Sequence, residues 1–196
     1  MAETAGAVGA IDAPKMESIE TPRLVLRTFR ESDAQDVFNA CSNPVLGHDA
    51  GWPPHESVAD SLIYINEIAP LGYVWAMTEA AGDDHVIGSI GLLPDPRTPD
   101  DGATMMLGYW LAQEKWNRGY TTEAARAVVD WGFSRAGLAR ITTSHFLFNH
   151  ASRRVIEKCG FRTCGIAPFP TDDPNEPEQD VQWYEIAAAD LQEATR

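Results

Sequence analysis

Between Ala103 and Phe133 the repeat of apolar residues changes from two to 3.6, and the change falls on a glycine-bearing turn, Asn117-Arg118-Gly119-Tyr120. Ala103 to Leu111 reads as a strand. Thr121, Ala124, Ala125, Val128, Val129, Gly132 and Phe133 then fall along one face of a helix that Gly137 ends. A strand that turns straight into a helix leaves several N–H groups unpartnered at the positive end of the helix dipole, where an anion can sit. A plain turn that needs Gly119 only for its backbone angles explains the same residues, so this segment alone leaves both readings open.

The flanking pattern is that of one mixed α/β domain. A first strand spans 23–28, and Ser32-Asp33-Ala34-Gln35 resembles a capping box that opens a helix to about Cys41. Asn43 to Pro54, with three prolines and two glycines, predicts a loop over a site. Ser57 is placed to cap a second helix ending before Pro70. Tyr73–Glu79 and His85–Leu93 read as strands joined at Gly82-Asp83-Asp84, and Arg140–Phe148 as a strand leading to a helix that opens near Asn149 and stops at Gly160. Phe161–Ile166 and Asp180–Ala187 supply the last strands. Residues 1–18 read as a flexible arm, 19–190 as the folded domain and 191–196 as a tail.

Charge narrows the function. A formal net charge of -14 excludes a broad basic face for nucleic acid, so an anionic ligand must be held by local backbone geometry and a few cations. Cys41, Cys159 and Cys164 cannot all pair within one chain, which fits a reducing cytoplasm. No stretch reads as a signal peptide, no run reaches the roughly 18 apolar residues of a membrane span, and the five histidines show no metal-ligand spacing.

A second segment, Phe148-Asn149-His150-Ala151-Ser152 through Cys159-Gly160-Phe161, places Asn149 as an N-cap and Ser152 in the first turn of its helix. Taken alone, a structural cap explains every residue in it. Together the two segments resemble the GNAT superfamily, in particular its RimJ/RimL-type branch of ribosomal-protein N-terminal acetyltransferases. Thr21-Pro22-Arg23-Leu24-Val25-Leu26-Arg27, Gly88-Ser89-Ile90-Gly91 and Gly108-Tyr109-Trp110-Leu111 occur in the family's order and spacing.

The resemblance implies a single GNAT-type domain, with a mixed, mostly antiparallel sheet flanked by helices, that transfers acetyl from acetyl-CoA to a primary amine. In this family a six-residue pattern wraps the pyrophosphate; here it falls on Trp116, Asn117, Arg118, Gly119, Tyr120 and Thr121. The first and last of these depart from the pattern, but backbone donation does not depend on their side chains. By the same resemblance Trp110, Leu111 and Ala112 offer backbone groups to the pantetheine arm, Asn149 lies beside it, and Ser152 protonates the departing thiolate. The expected acceptor is a protein N-terminus or a small-molecule amine. No direct nucleic-acid or membrane contact is expected, and a homodimer is left open.

Such a reaction also calls for a base, since amines are largely protonated at pH 7. Relatives often carry a carboxylate just before Gly-Tyr-Trp-Leu, where this chain has Met105 and Met106. The base is therefore unassigned: His145, Asp101, Asp172, Asp173 and Glu178 are candidates, each better read as a solvated or hydrogen-bonded structural residue than as a catalyst. Trp52 fits either an acceptor pocket or a loop anchor. A non-catalytic acyl-CoA module is the main rival; a Rossmann protein is weaker, because the glycine spacing is wrong for one. Deleting Met1–Lys15, which carry few large apolar groups, is expected to shift the melting temperature by less than about 2 °C, under about 1 kcal/mol for a domain of this size, with acetyl transfer intact. A larger loss in a thermal melt would show that the arm packs on the domain.

Overall fold

Alternating apolar residues on eight segments pair into a single sheet, whose two faces are then covered by helices with matching apolar stripes. The structure, a computed structural model, describes residues 16–99, 101–170 and 179–193. Its elements run β1 Ile19–Glu20, β2 Leu24–Arg27, α1 Ala34–Cys41, α2 Pro44–Ala50, α3 Val58–Ile63, β3 Tyr73–Glu79, β4 Val86–Pro94 and β5 Thr104–Leu111. After these come α4 Tyr120–Ser134, β6 Arg140–Phe146, α5 His150–Lys158, β7 Arg162–Pro168, β8 Asp180–Ala187 and α6 Ala188–Glu193.

Strand order is β1-β2-β3-β4-β5-β6-β8-β7, and every neighbouring pair is antiparallel except β5–β6. This is the mixed, mostly antiparallel sheet that the resemblance implies. One face packs on α4 and α5 through Leu92, Leu107, Val128, Ile141 and Ile156. The other packs on α1, α2 and the segment after α3 through Val37, Leu46, Ile65, Ala76 and Trp110. Since side chains alternate along a strand, Tyr109 faces α4 and α5 while Gly108 and Trp110 face the opposite way.

Several boundaries differ from the sequence expectation. Asn43–Pro54 is not all loop: Pro44 occupies the first helical position, where its missing N–H costs nothing, and the Asn43 side chain accepts from the Val45 N–H at 2.9 Å. Gly51 ends this helix in the left-handed conformation, φ 83°. The box expected at Ser32 is built instead by Asp33, which accepts from the Arg30 N–H at 2.8 Å ahead of α1. Of the expected arm, 1–15 lie outside the described residues, but Met16 packs on the core and the Glu17 carbonyl accepts from Trp75 Nε1 at 2.9 Å. The expected tail boundary falls inside α6.

Arg27 and Asp33 form a buried two-bond pair, Nη1 to Oδ2 at 2.8 Å and Nη2 to Oδ1 at 2.9 Å, and Arg27 Nε also reaches Asp84 Oδ1 at 2.7 Å. The pair ties β2 to α1 and to the β3–β4 turn. Asp33→Ala would strand the guanidinium in the interior, so a loss of about 3 kcal/mol in urea unfolding is expected. A change within about 0.5 kcal/mol, the ordinary range for surface positions, would show that the pair carries no stability.

Candidate active site

The parallel ladder between β5 and β6 is only three residues long: Thr104 opposite Arg140, Met105 opposite Ile141 and Met106 opposite Thr142. At the next step the Thr143 hydroxyl donates to the Leu107 carbonyl at 3.0 Å, a side chain standing where a ladder bond would be. Beyond it β5 stays paired with β4 as far as Leu111, and β6 with β8 as far as Phe146, so the sheet opens between two intact halves. The Leu107 carbonyl points at β6; by the two-residue period, so do the N–H and C=O of Tyr109. A cleft of about 1010 Å³ fills the opening and reaches both faces of the sheet.

On the α4/α5 face the cleft meets the turn before α4. Asn117 and Gly119 both have positive φ, 61° and 80°, which curls the backbone so that the first N–H groups of α4 are presented outward. Four side chains hold this turn. Trp116 Nε1 donates to the Leu111 carbonyl at 2.7 Å, and Arg23 Nη1 to the Arg118 carbonyl at 2.9 Å. Glu123 accepts from the Thr21 hydroxyl at 2.7 Å and from Arg23 Nε at 2.6 Å, while Glu79 accepts from Lys115 and, at 2.6 Å, from the Tyr120 hydroxyl. Lys115, then Tyr120, hold the Glu79 carboxyl below the usual carboxylate range. Burial acts to raise Glu123, but the bonds from Thr21 and Arg23 prevail and it too lies low. Both therefore remain anionic anchors at neutral pH.

The start of α5 forms the opposite wall. Asn149 Oδ1 accepts from the Ser152 N–H at 2.9 Å, and its Nδ2 donates to the Asp49 carbonyl at 2.9 Å, joining α5 to the end of α2. Tyr109 Oη lies 2.8 Å from Ser152 Oγ. Burial pushes the Tyr109 hydroxyl well above its ordinary value, so it stays a donor. If Tyr109 gives its hydrogen to Ser152 Oγ, the Ser152 hydrogen is free to point into the cleft.

Most of the residues singled out in the sequence meet in this one cleft: Trp110, Leu111, Trp116, Asn117, Gly119, Tyr120, Thr121, Asn149 and Ser152 all line it. Ala112 and Arg118 do not. The Ala112 N–H is spent on the Ile87 carbonyl at 2.8 Å, and the Leu111 carbonyl on Trp116. The strand groups turned to the gap are the N–H and C=O of Tyr109, which only the pairing register reveals, and by the same period the N–H of Leu111.

The base candidates separate on geometry. Asp101 accepts from the Ala103 N–H and the Thr104 hydroxyl at the start of β5, away from the cleft. His145 lines the cleft, but Nδ1 lies 2.8 Å from the Phe146 carbonyl, which can only accept, so Nδ1 carries the hydrogen. Nε2 then accepts from the Tyr184 hydroxyl at 3.2 Å, and the ring has no free lone pair. Asp172, Asp173 and Glu178 lie outside the described residues. Among the described residues lining the cleft the one carboxylate is Asp49, which the sequence reading missed because nothing local marks a helix-end aspartate as facing a distant strand. Trp52 packs on the second core and also lines the cleft.

A smaller crevice of about 320 Å³ lies beside α1. Its Asp36 is bonded to His85 and the Val86 N–H and its Glu79 to Lys115, while Asp83 and Glu114 add two further carboxylates. Among the described residues no group of His, Cys, Asp and Glu could hold a metal ion, and no helix is long and apolar enough to cross a membrane.

Known proteins share this fold. The family model for the acetyltransferase (GNAT) domain matches residues 23–162. The N-acetyltransferase YoaA of Bacillus subtilis, itself uncharacterised, is 32% identical over 156 residues, covering 76% of this chain and 84% of the relative. A GNAT-family acetyltransferase from Bacillus anthracis superposes with a TM-score of 0.75 at 24% identity, over 87% of this chain and 98% of the other. The acetyltransferase MccE of microcin C7 self-immunity, solved with acetyl-CoA and AMP, gives 0.69 at 17% identity, over 85% and 93%. With the strand opening, the turn and the family match in agreement, the chain belongs to the GNAT family of acetyltransferases and is an acetyl-CoA-dependent acyltransferase.

Proposed function

We propose that the open gap between β5 and β6 is where acetyl-CoA and a primary amine meet, and that Ser152 gives the leaving thiolate its proton. The observation that carries this reading is the Ser152 hydroxyl, turned to a gap that reaches both sheet faces and oriented by Tyr109 at 2.8 Å. In the reaction the amine nitrogen bonds the acetyl carbon as the carbon–sulfur bond breaks, leaving an amide, a thiol and one proton for solvent. The chain's part is to hold and supply protons. Ser152 passes one to sulfur and regains one from the nitrogen side, while Tyr109 keeps its own.

The turn 116–121 and the outward N–H groups of α4 bind the pyrophosphate, and the gap-facing groups of Tyr109 bind the pantetheine. Binding through backbone dipoles suits an acidic protein, whose overall field repels an anion. For the acceptor, the RimJ/RimL-type motifs support a protein N-terminal amine. The apolar lining of the face opposite α4 supports a small amine. Cys41, Cys159 and Cys164 are all free thiols, which supports a reducing cytoplasm as the place of action.

Two sets of variants test this. Gly119→Val puts a branched side chain at φ 80° and beside the phosphate path, so acetyl-CoA affinity measured by calorimetry should fall at least about tenfold, or about 1.4 kcal/mol; unchanged affinity in a folded variant rules the turn out. Ser152→Ala should keep acetyl-CoA affinity while kcat falls about 10²-fold, the low end of general-acid help. Tyr109→Phe, which removes only the orienting hydroxyl, should cost about three- to tenfold, the worth of one hydrogen bond. A loss under about twofold in Ser152→Ala, far below the general-acid range, leaves Ser152 a helix-turn residue.

A further inference from the structure

The cleft crosses the sheet, and its two halves differ in chemistry. On the α4/α5 side Arg154 and Lys158 join the outward N–H groups of the turn. The other half has no comparable groups. Its floor is Gly108, which pairs with Gly91 across β5 and β4, and a Cβ built on Gly108 would meet nothing within 4 Å. Trp52, Leu93, Met106, Phe146 and Phe169 surround this space, coming from five different segments of the chain.

Among the described residues this half is lined by no Lys or Arg. Arg97, on the β4–β5 loop, is already engaged: its Nη2 lies 2.8 Å from the buried Asp95 carboxylate and its guanidinium 3.7 Å from the centre of the Trp183 ring. Two hydroxyls here are spent as well, since Tyr64 donates to Ser89 Oγ at 2.8 Å and Ser89 to the Trp75 carbonyl at 3.2 Å, which leaves Ser144 on the β6 wall. The one carboxylate is that of Asp49: its Oδ1 lies 3.1 Å from Nδ1 of the exposed His48, its Oδ2 has no partner among the described residues, and its main chain is fastened to Asn149 and through it to the start of α5.

An anion brought here would lose water and find no cation, a cost of several kcal/mol. An ammonium meets a carboxylate and aromatic ring faces, both favourable. An extended peptide would need a row of backbone partners, more than the side chains of Ser144 and Gln179 supply. On the reading that this gap is the site of acetyl transfer, we propose that the acceptor is a small primary amine with an apolar, uncharged body, an arylalkylamine in chemical class. Its ring lies over Gly108 and its ammonium faces Asp49, which takes up one proton before the nitrogen attacks.

The test is acetyl transfer by the full chain to a matched set: 2-phenylethylamine, phenylalanine, which adds only a carboxylate, and a short peptide amide that begins with phenylalanine. Phenylethylamine should exceed phenylalanine in kcat/KM by at least about tenfold, reflecting the unpaired carboxylate, and should exceed the peptide. Asp49→Asn should raise KM for phenylethylamine about tenfold, at the strong end for a charged hydrogen bond, with acetyl-CoA affinity unchanged. Equal or better use of phenylalanine, or preference for the peptide, overturns the acceptor assignment and leaves acetyl transfer standing. Binding of acetyl-CoA with no amine acetylated overturns acetyl transfer at this gap and the acceptor with it.

Discussion

The short ladder between β5 and β6 is the constraint on which the rest depends. Three residue pairs suffice to keep β5 and β6 in one sheet, and the Thr143 hydroxyl then satisfies the Leu107 carbonyl where pairing stops. Unpaired backbone inside a protein is costly, so a sheet opens only where other groups or a ligand take its N–H and C=O. Here the neighbouring strands β4 and β8 remain fully engaged on their outer sides, which keeps each half rigid while the gap between them stays open.

Around that gap the chain spends charge on geometry. Glu123 draws Thr21 and Arg23 against the start of α4, Arg23 in turn holds the Arg118 carbonyl, and Glu79 fixes Lys115 and Tyr120. None of these bonds needs to touch a ligand. Their effect is to fix two residues of positive φ, Asn117 and Gly119, so that the N–H groups of α4 point outward before any anion arrives. Preorganised donors of this kind lose little on binding, which offsets the repulsive field of a chain with net charge -14. Asn149 does the equivalent on the far wall, serving α5 with its oxygen and α2 with its nitrogen.

The two mouths of the gap then meet different solvents in effect. One offers outward amides and cations; the other offers rings, a glycine floor and a single carboxylate. On the acceptor assignment proposed above, an anionic donor and a cationic acceptor approach from opposite faces of the sheet and meet at the opening, beside the Tyr109–Ser152 pair. Burial of Tyr109 keeps its hydroxyl protonated across the pH range in which an amine begins to lose its proton.

Periodicity and local caps were enough to read the helix after Gly119, the strands Tyr73–Glu79 and Asp180–Ala187, and the cap at Asn149, because each depends on neighbours a few residues away. The motifs at 116–121 and 149–152 likewise identified both walls of the cleft. Helix α2 was missed because its prolines and glycines signal a break, while Pro44 stands at the one helical position that tolerates it. Tyr109, Asp49 and the anchors Glu79 and Glu123 were decided only by tertiary structure: which backbone groups face the gap follows from pairing register, and which carboxylate lines it follows from Asn149 reaching across 100 positions to hold Asp49. Short-range patterns fix elements and caps, but contacts between distant segments depend on how the sheet is assembled, and no local repeat in the chain encodes that.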